Sequence, residues 1–487
     1  MTKHRIQQST FDECVRENMT EFDMELEEAI KDSIQQFLSQ GVDLSTIVTD
    51  NLLGTNQTRI EQTLCTMNSL QFVLNESEND KKVSISNRTT LSVYVQSLID
   101  SIKGSPALKS LFPNSNITTL LVELLFADDS DTERKLVEQV MELLLLICDS
   151  QYRNIQSAIG EEIIALLLHF LTCCNRVESL IRLLSLLTQL CSKNESNKKL
   201  FMQSNGHTML FDHISHAHEN TEFSKQVAKL LRGVMAQDDD VEFSLSDAIV
   251  KQLVQLDIIP FSFKVIRDRV HCTKDRNVVI LWLAVLKQIA ISEANCLQIY
   301  QEDVLDIVYD MLDTLASNTL MVKQCVALLG NLAAVDTIKR QILKTGGITR
   351  VLQAMQLHVM CAFVQKHSCA FLAAIALREP ECASEIIKYQ GAFAIAKAMQ
   401  KHPKNGSILR QASLAIRNIV SRSPEFQKDF LDQGIEVLLR DALAQFSCQS
   451  EAYGALRDLN CETPSEKYRN ASKLEFNPVQ TQSRYLE

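Results

Sequence analysis

Four histidines lie close together in the sequence, at His207, His213, His216 and His218. Neutral imidazoles bind zinc when they converge with carboxylates or thiolates on one metal ion. The alternate histidines of His216-Ala217-His218 would converge best in a strand or a loop, whereas the surrounding pattern predicts a helix end followed by a connection. We therefore expect an exposed polar turn here and no metal site.

The same tripeptide is similar to the His-x-His sites, with a small central residue, that protein-histidine methyltransferases modify. This similarity makes His216 and His218 candidate methylation sites.

Sequence motifs of several enzyme classes are absent. The chain has no Gly-x-x-x-x-Gly-Lys phosphate loop, no Gly-x-Ser-x-Gly elbow and no His-Glu-x-x-His metal motif. Its 14 cysteines include no Cys-x-x-Cys pair. The adjacent Cys173 and Cys174 end an apolar helix, where we expect them to pack rather than react. We predict a protein that is not an enzyme and that has neither cofactor nor metal.

The elements that position these residues come from a repeating helical phrase, with its clearest copy at Leu328-Leu329-Gly330-Asn331-Leu332-Ala333. When the fifth residue of each copy is taken as an anchor, the steps between anchors are 43, 44, 55, 43, 43, 44 and 40 residues. The anchors are Ile147, Leu190, Val234, Ile289, Leu332, Ile375, Ile419 and Leu459. This regular spacing predicts a solenoid of stacked helical units. The 55-residue step contains Asp238, Asp239 and Asp240 and is expected to hold a surface loop.

A second periodic feature is a glycine that follows most anchors after a short polar connection. We expect each of these glycines to open a new apolar helix. They are Gly160, Gly206, Gly347, Gly391 and Gly434. Around Asp257 and Asp303 the glycine is absent.

The combination of Gly346-Gly347-Ile348, a helix, a loop and a long helix ending in Asn-Leu-Ala resembles the armadillo repeat, a three-helix module of this size. The resemblance covers residues 115 to 460 and is most specific in the fifth to seventh copies. In the third and fourth copies, HEAT repeats are the alternative. The resemblance implies an all-α fold: an armadillo (ARM/HEAT-like) right-handed α-solenoid of about eight units with an N-terminal helical extension.

Members of this family bind peptides in a concave groove lined by the long third helices, where an asparagine holds the peptide backbone. An amide suits this role because it both donates and accepts hydrogen bonds. The corresponding positions here hold Leu146, Gln189, Gly233, Gln288, Asn331, Ala374, Asn418 and Asp458. The tryptophan expected one turn earlier is replaced by Ala327 and Leu414, which argues against a receptor for nuclear-localisation signals.

Two turns before these positions, each long helix presents the same face again. Three consecutive units carry a cation followed by an amide or imidazole there, at Lys323-Gln324, Lys366-His367 and Arg410-Gln411. Together with Asn331, Arg417 and Asn418, these residues predict a groove for an extended or helical partner peptide, with acidic side chains as one alternative. The competing interpretation is an ordinary solvated helix start.

Residues 1–50 are predicted to form acidic N-terminal helices, one from Phe11 to Thr20 with a capping box at Thr10, and one from Met24 to Ser39. Residues 51–114 are predicted as a polar linker and helical lead-in, flexible from Asn75 to Thr90. Armadillo repeats follow over 115–461, and a disordered tail over 462–487. The acidic helices are expected either to cap the first repeat or to dock, on another protein or intramolecularly on the groove.

Charge and hydropathy exclude several classes of function. The net charge of the 487 residues is −11, and the first 80 residues hold 15 acidic and 5 basic side chains, so no strong basic surface for nucleic acid is expected. No apolar run reaches the roughly 20 residues of a membrane span, and no secretory signal is recognised. We expect a cytoplasmic or also nuclear monomer that serves as a protein-binding adaptor. The alternative is a transport or chaperone-like carrier that holds a folded client along the superhelix.

Overall fold

The computed structural model describes residues 4–6, 8–21, 24, 26–40, 42–44, 57–79, 85–113, 115–127, 134–174, 176–237, 245–445 and 448–463. It divides into two compact units, residues 1–249 and 250–487. A two-residue parallel pairing joins β1 (His4–Arg5) to β2 (Val42–Asp43), and the other regular elements of the described residues are helical. The expectation of an all-α solenoid is confirmed.

The helices of the first unit are α1 (Gln8–Glu21), α2 (Leu26–Ser39), α3 (Gln57–Asn79), α4 (Ile85–Gly104), α5 (Ile117–Ala127), α6 (Arg134–Ile147), α7 (Arg153–Cys173), α8 (Val177–Cys191), α9 (Glu195–Gln203), α10 (Gly206–Asp212), α11 (His216–Glu219), α12 (Thr221–Met235) and, crossing the boundary, α13 (Ser246–Gln255). Those of the second unit are α14 (Ile258–Arg269), α15 (Arg276–Ile289), α16 (Glu293–Tyr300), α17 (Val304–Thr314), α18 (Thr319–Leu332), α19 (Asp336–Lys344), α20 (Gly347–Leu357), α21 (Ala362–Ala376), α22 (Pro380–Lys388), α23 (Gly391–Lys401), α24 (Gly406–Val420), α25 (Gln427–Leu431), α26 (Ile435–Leu443) and α27 (Gln449–Asp458). Short 3₁₀ turns lie at Pro106–Leu111, Thr273–Asp275 and Pro424–Phe426.

The predicted anchors lie at the ends of the long helices, and each is at most 2% exposed. These helices stack side by side, as α4, α6, α8 and α12 in the first unit and as α15, α18, α21, α24 and α27 in the second. The stack of long helices therefore begins at α4, earlier than the predicted first repeat at residue 115.

Buried lysines join neighbouring repeats. The last carbonyl groups of an α-helix have no partner within the helix and need one from elsewhere. Lys198 Nζ on α9 donates to the carbonyl of Ala236, just after α12, at 2.7 Å. Lys339 Nζ on α19 donates to the carbonyl of Leu377, just after α21, at 2.8 Å. Each lysine thus completes the end of the long helix in the following repeat.

Left-handed backbone conformations recur immediately before short helices. The residues concerned are Asn116, Asn205, Asp257, Asp303, Gly346, Gln390 and Gly434. The predicted glycine is the next residue at Gly206, Gly347 and Gly391, each of which is the first residue of its helix, as expected. Asp257 and Asp303 adopt the left-handed conformation in the two units where the glycine is missing from the sequence.

Gly160 does not open a helix, contrary to the prediction, because it lies inside α7. A Cβ atom there would collide with the side chain of Asn197. The Asn197 amide donates to the carbonyl groups of Gln156, at 3.0 Å, and of Leu190, at 2.9 Å. The glycine makes room for this amide between two helices, so its role is close approach and not chain reversal.

In length and composition α7 is also the one helix of the described residues that could cross a membrane. Its side chains Ile159, Ile163 and Leu167 are fully buried, and the helix packs against α5, α8 and α9. Burial in a packed core accounts for the hydropathy of α7.

The N-terminal segment forms a small apolar cluster of its own. Phe11 and Val15 of α1 pack with Ala29 and Phe37 of α2 and with Val42. Both helices were predicted and are confirmed, but α1 begins at Gln8, so Thr10 does not cap it. Much of the apolar stripe of α2 is covered by α1. Docking of this segment on the repeats stays a prediction.

The stretch from Asn75 to Thr90 differs from the predicted flexible linker. α3 continues to Asn79 and α4 begins at Ile85. The two helices pack against each other, and Leu74 and Leu91 are at most 4% exposed. The prediction of a flexible linker is wrong for residues 75–79 and 85–90, because they continue helices that are anchored by the flanking Leu74 and Leu91, and residues 80–84 lie outside the described residues. The predicted loop at Asp238–Asp240 and the tail from residue 464 lie outside the described residues.

Candidate functional site: the long-helix face

The candidate site is an exposed surface formed by successive long helices of the second unit. On α18 it includes Leu320, Lys323 and Gln324, and on α21 the equivalent residues Phe363, Lys366 and His367. Positions three and four residues apart share one side of a helix, and α15, α18 and α21 pack side by side. We call this surface the long-helix face and define it by Lys287, Leu320, Lys323, Gln324, Phe363, Lys366 and His367.

The two predicted groove asparagines bond to the preceding long helix. Asn331 Nδ2 donates to the carbonyl of Lys287 at 3.0 Å, and Asn418 Nδ2 donates to the carbonyl of Ala373 at 2.8 Å. Both carbonyls belong to the last turn of their helix, where intrahelical partners are lacking. Asn331 is only 8% exposed. These two amides therefore join neighbouring repeats. Because each Nδ2 group already donates to a carbonyl of the protein, fewer of its hydrogen-bond donors are available to a bound partner.

At its C-terminal end, the predicted row of cations faces carboxylates of the last helix. Arg410 Nε lies 3.3 Å from Glu451 Oε1, and Arg417 Nε lies 3.4 Å from Asp458 Oδ2. Gln411 is only 7% exposed and does not belong to the exposed row. Because α27 supplies opposite charges, the cationic character of the surface is concentrated further towards α15, α18 and α21.

Around α18 and α21 the surface combines a cation with exposed apolar groups. The Lys323 ammonium lies over the Phe363 ring, 4.1 Å from its centroid. Phe363 is 60% exposed and Leu320 57%. A cation over an aromatic face is held there by attraction to the ring quadrupole. Lys323 is thereby held beside the exposed apolar side chains of Leu320 and Phe363.

His367 lies among three lysines. Burial, followed by the charges of Lys287, Lys366 and Lys323, lowers the pKa of His367 to about 3. The imidazole is therefore neutral at physiological pH. The charges of lysines on α15, α18 and α21 therefore all act on this one imidazole.

This environment predicts a pH dependence of stability. In the unfolded chain His367 binds a proton near pH 6.5, whereas in the folded chain it does so only near pH 3. The unfolded state thus binds more protons between these values, and stability falls as the pH decreases through this range, by up to about 1.4 kcal/mol per pH unit. Urea unfolding at pH 7, 6 and 5 should show a shallower decrease for His367→Gln than for wild type. The exposed His271→Gln is the control, and equal slopes for His367→Gln and wild type would contradict the assignment.

Three members of the surface, Lys287, Leu320 and Phe363, were not predicted from the sequence. Lys287 lies two residues before the anchor Ile289, as Arg417 lies two residues before Ile419, so the repeat spacing contained a signal for it. Phe363 lies 43 residues after Leu320, which equals one repeat step. Their exposure depends on the packing of neighbouring helices, and hydropathy alone would assign such residues to the core.

The histidine cluster has a different setting from the long-helix face. The rings of His213 and His216 are 6.2 Å apart, and His216 meets the edge of Phe223 at 6.1 Å. No group of three or more metal-binding side chains converges within the part of the chain that the structure describes. The side chain of His218 lies outside the described residues. Methylation of His216 or His218 stays a prediction.

The cysteines divide into buried and exposed groups. Burial raises the pKa of Cys148, Cys191, Cys325 and Cys369 to about 12, so these thiols remain protonated at neutral pH. The predicted packing role of Cys173 is wrong, because the last turn of α7 exposes it, with Sγ 3.8 Å from His169 Nε2.

Comparison with known proteins identifies relatives for both the N-terminal segment and the repeats. Residues 3–64 match the model of the armadillo repeat-containing protein 6 N-terminal domain. The chain is 29% identical over 395 residues to armadillo repeat-containing protein 6 of Homo sapiens, covering 78% of this chain and 75% of that protein. It is 25% identical over 393 residues to the Drosophila melanogaster homolog, covering 75% and 79% of the two chains.

Solved structures show the same architecture. An engineered protein superimposes with a TM-score of 0.58 at 17% identity, covering 84% of this chain and 97% of that chain. A chain from a structure concerning a phosphorylation switch that controls the interaction between cadherin and beta-catenin gives a TM-score of 0.51 at 14% identity, covering 78% of this chain and 67% of that chain. The chain thus has the armadillo repeat fold and resembles armadillo repeat-containing protein 6 along most of its length.

Proposed function

We propose that the chain is a non-enzymatic scaffold that binds a segment of a partner protein on the long-helix face. Armadillo repeat proteins are typically binding scaffolds, and the fold alone supports this coarse assignment. The finer assignment, to a peptide-like segment at this surface, depends on the residues described above.

The observation that carries the proposal is the recurrence of exposed apolar side chains at one position of two consecutive repeats. Leu320 and Phe363 are both more than half exposed and lie on adjacent, packed helices. Met360, just before α21, is 69% exposed. An uncovered apolar group costs about 25 cal/mol for each Å² left in water, and such groups beside cations are typical of binding surfaces.

A site-specific cross-link tests this proposal. We expect p-benzoylphenylalanine in place of Phe363 to cross-link, on irradiation in cells, to one contiguous segment of a partner protein. That segment, made synthetically, should bind the purified chain with an affinity comparable to the whole partner. A folded client held as a whole would instead lose its affinity when the segment is excised.

The matched control places the same photoreactive residue at Val437, which is 63% exposed on α26. Equal cross-linking from position 437, or none from position 363 in a chain with unchanged melting temperature, would contradict the assignment to the long-helix face.

A further inference from the structure

Two exposed apolar side chains lie on adjacent helices of the second unit that are not among its long helices. Phe393 is the third residue of α23 and Val437 is the third residue of α26, and they are 42% and 63% exposed. Because α23 and α26 pack against each other, these equivalent positions are neighbours. We call this surface the α23–α26 patch and define it by Phe393 and Val437.

The patch is specific to these two repeats. The third residue of the equivalent helix is Asp306 in α17 and Thr349 in α20, and both are polar. A single exposed apolar residue is common on protein surfaces, whereas two at equivalent positions of packed helices form one surface. Each Å² of apolar surface left in water costs about 25 cal/mol, so a segment that covers the patch would be stabilised there.

The backbone that follows α27 leads towards this patch. Asn460 Nδ2 donates to Oε1 of Gln427, on α25, at 3.3 Å. Arg440 Nη2, on α26, donates to the carbonyl oxygen of Glu462 at 3.0 Å. Arg440 lies three residues after Val437 and therefore on the same side of α26. The chain is thus bound to α25 and then to α26, about one helical turn from the patch, where the tail begins.

We propose that the tail segment 476–479 binds to the α23–α26 patch of its own chain. The segment begins 14 residues after Glu462, and a chain of that length can extend over about 45 Å. It can therefore reach both helices, since packed helices lie about 8–10 Å apart. The proposal concerns a different surface from the long-helix face and does not depend on the partner proposed for that face.

The sequence of the segment suits the spacing of the patch. Pro478 fixes its own φ and favours an extended conformation at Asn477. A polyproline-type chain has three residues per turn and rises about 3.1 Å per residue, so Phe476 and Val479 would lie on one side, about 9 Å apart. This distance is close to that between packed helices. One apolar side chain of the segment would thus lie on each apolar side chain of the patch.

The chain's own tail is favoured over a segment of another molecule because the expected contact is weak. Full burial of an apolar side chain contributes about 1.5–3 kcal/mol, and ordering of the segment offsets about 1–2 kcal/mol for each residue. Two such side chains would not hold a free peptide. A tether of this kind supplies an effective concentration of about millimolar, which is enough to retain a weak contact.

A photo-cross-link in the purified full chain tests the proposal. The photoreactive p-benzoylphenylalanine in place of Phe393 keeps an aromatic ring in the patch. On irradiation it should join the tryptic peptide 389–397 to the tryptic peptide 474–484, which contains Phe476 and Val479. A mixture of isotope-labelled and unlabelled chains should give cross-linked peptides that carry one label only, because both peptides belong to one chain.

The matched control places the same photoreactive residue at Lys401, which is exposed at the other end of α23. Positions 393 and 401 are about 12 Å apart along the helix, so a tail that does not bind would reach both equally. We expect about fivefold or more cross-linking to peptide 474–484 from position 393 relative to position 401, since a contact retained at about millimolar effective concentration is occupied for much of the time.

Variants of the tail locate the contact. Phe476→Ser combined with Val479→Ser should lower the cross-link from position 393 by about fivefold or more, to the level of position 401, because both apolar contacts are lost. The matched control Tyr468→Ser combined with Tyr485→Ser removes two other large side chains of the tail. It should leave the cross-link unchanged, and both variants should keep the melting temperature of the repeats.

Three results would overturn the proposal. They are no cross-link to peptide 474–484 from position 393, equal cross-linking from positions 393 and 401, and an unchanged cross-link in the Phe476→Ser, Val479→Ser variant. Cross-linked peptides that carry both labels would show that the occupant comes from a second copy, and would also overturn it. None of these results bears on the partner proposed for the long-helix face, which is tested separately at position 363.

Discussion

Replacing Lys198 by alanine is expected to lower the free energy of unfolding by about 4 kcal/mol, the cost of breaking a buried ion pair from one side. The Lys198 side chain is fully buried, and its ammonium lies 3.2 Å from Glu195 Oε1 and 2.7 Å from the carbonyl oxygen of Ala236. Without the lysine, the Glu195 carboxylate loses a cationic partner in a largely buried position. The end of α12 also loses a hydrogen bond that no intrahelical donor can supply.

Urea unfolding of purified variants measures this effect. Lys199→Ala is the matched control, because Lys199 is the next residue along α9 and is exposed. A surface substitution of this kind changes stability by roughly 0.5 kcal/mol or less. Hydrogen exchange should become faster at the C-terminal turn of α12 in Lys198→Ala. Equal stability of the two variants would show that the buried lysine does not hold the repeats together.

The framework of this fold could be predicted from the sequence because it depends on a local pattern. The anchors are apolar residues at fixed intervals. Such residues are buried when each helix packs against the equivalent helix of the next repeat. The first helix of the stack, α4, was not predicted, because the same local pattern is hard to recognise there. Ile102 of α4 is 1% exposed and lies 45 residues before Ile147, but the polar residues around α3 and α4 obscure this copy.

The periodic glycines show that one sequence pattern can have several physical causes. Their period was recognised, but one explanation was given for all of them. Gly434 has a left-handed backbone, with φ of 72°, and Gly391 leaves space for its neighbours instead. Gly160 makes room for Asn197, a residue of another helix. A sequence pattern records that glycine is needed at a position, whereas only the packing shows which property of glycine is used.

Part of the candidate site could likewise be predicted. The row of Lys323, Lys366 and Arg410 followed from helical periodicity. The pairing of Arg410 with Glu451 joins two helices, and only their packing shows that the charges meet. The repeat spacing held a partial signal, since Glu451 lies 41 residues after Arg410. The effect of the Lys287 charge on the pKa of His367 depends on side-chain directions, which periodicity does not specify.

The second large effect is expected at the turn between α22 and α23, where two adjacent residues should respond in opposite directions. Gly391→Ala should destabilise the chain by about 3 kcal/mol, at the upper end of the usual cost of overpacking. The new Cβ would meet the Ile386 side chain and lie 2.7 Å from the Ile386 carbonyl oxygen. That oxygen belongs to the backbone of α22, so the clash cannot be relieved by turning a side chain.

Gln390→Gly is the matched variant at the preceding residue. Gln390 has φ of 62°, a left-handed conformation that costs a residue with a Cβ about 1 kcal/mol. Glycine removes that cost, although it also gains freedom in the unfolded chain, so a stabilisation of somewhat less than about 1 kcal/mol is expected. Urea unfolding of both variants separates the two roles of this turn. If Gly391→Ala were neutral and Gln390→Gly destabilising, the close contact at Gly391 and the strain at Gln390 would both be wrong, and the period of the glycines would need another physical cause.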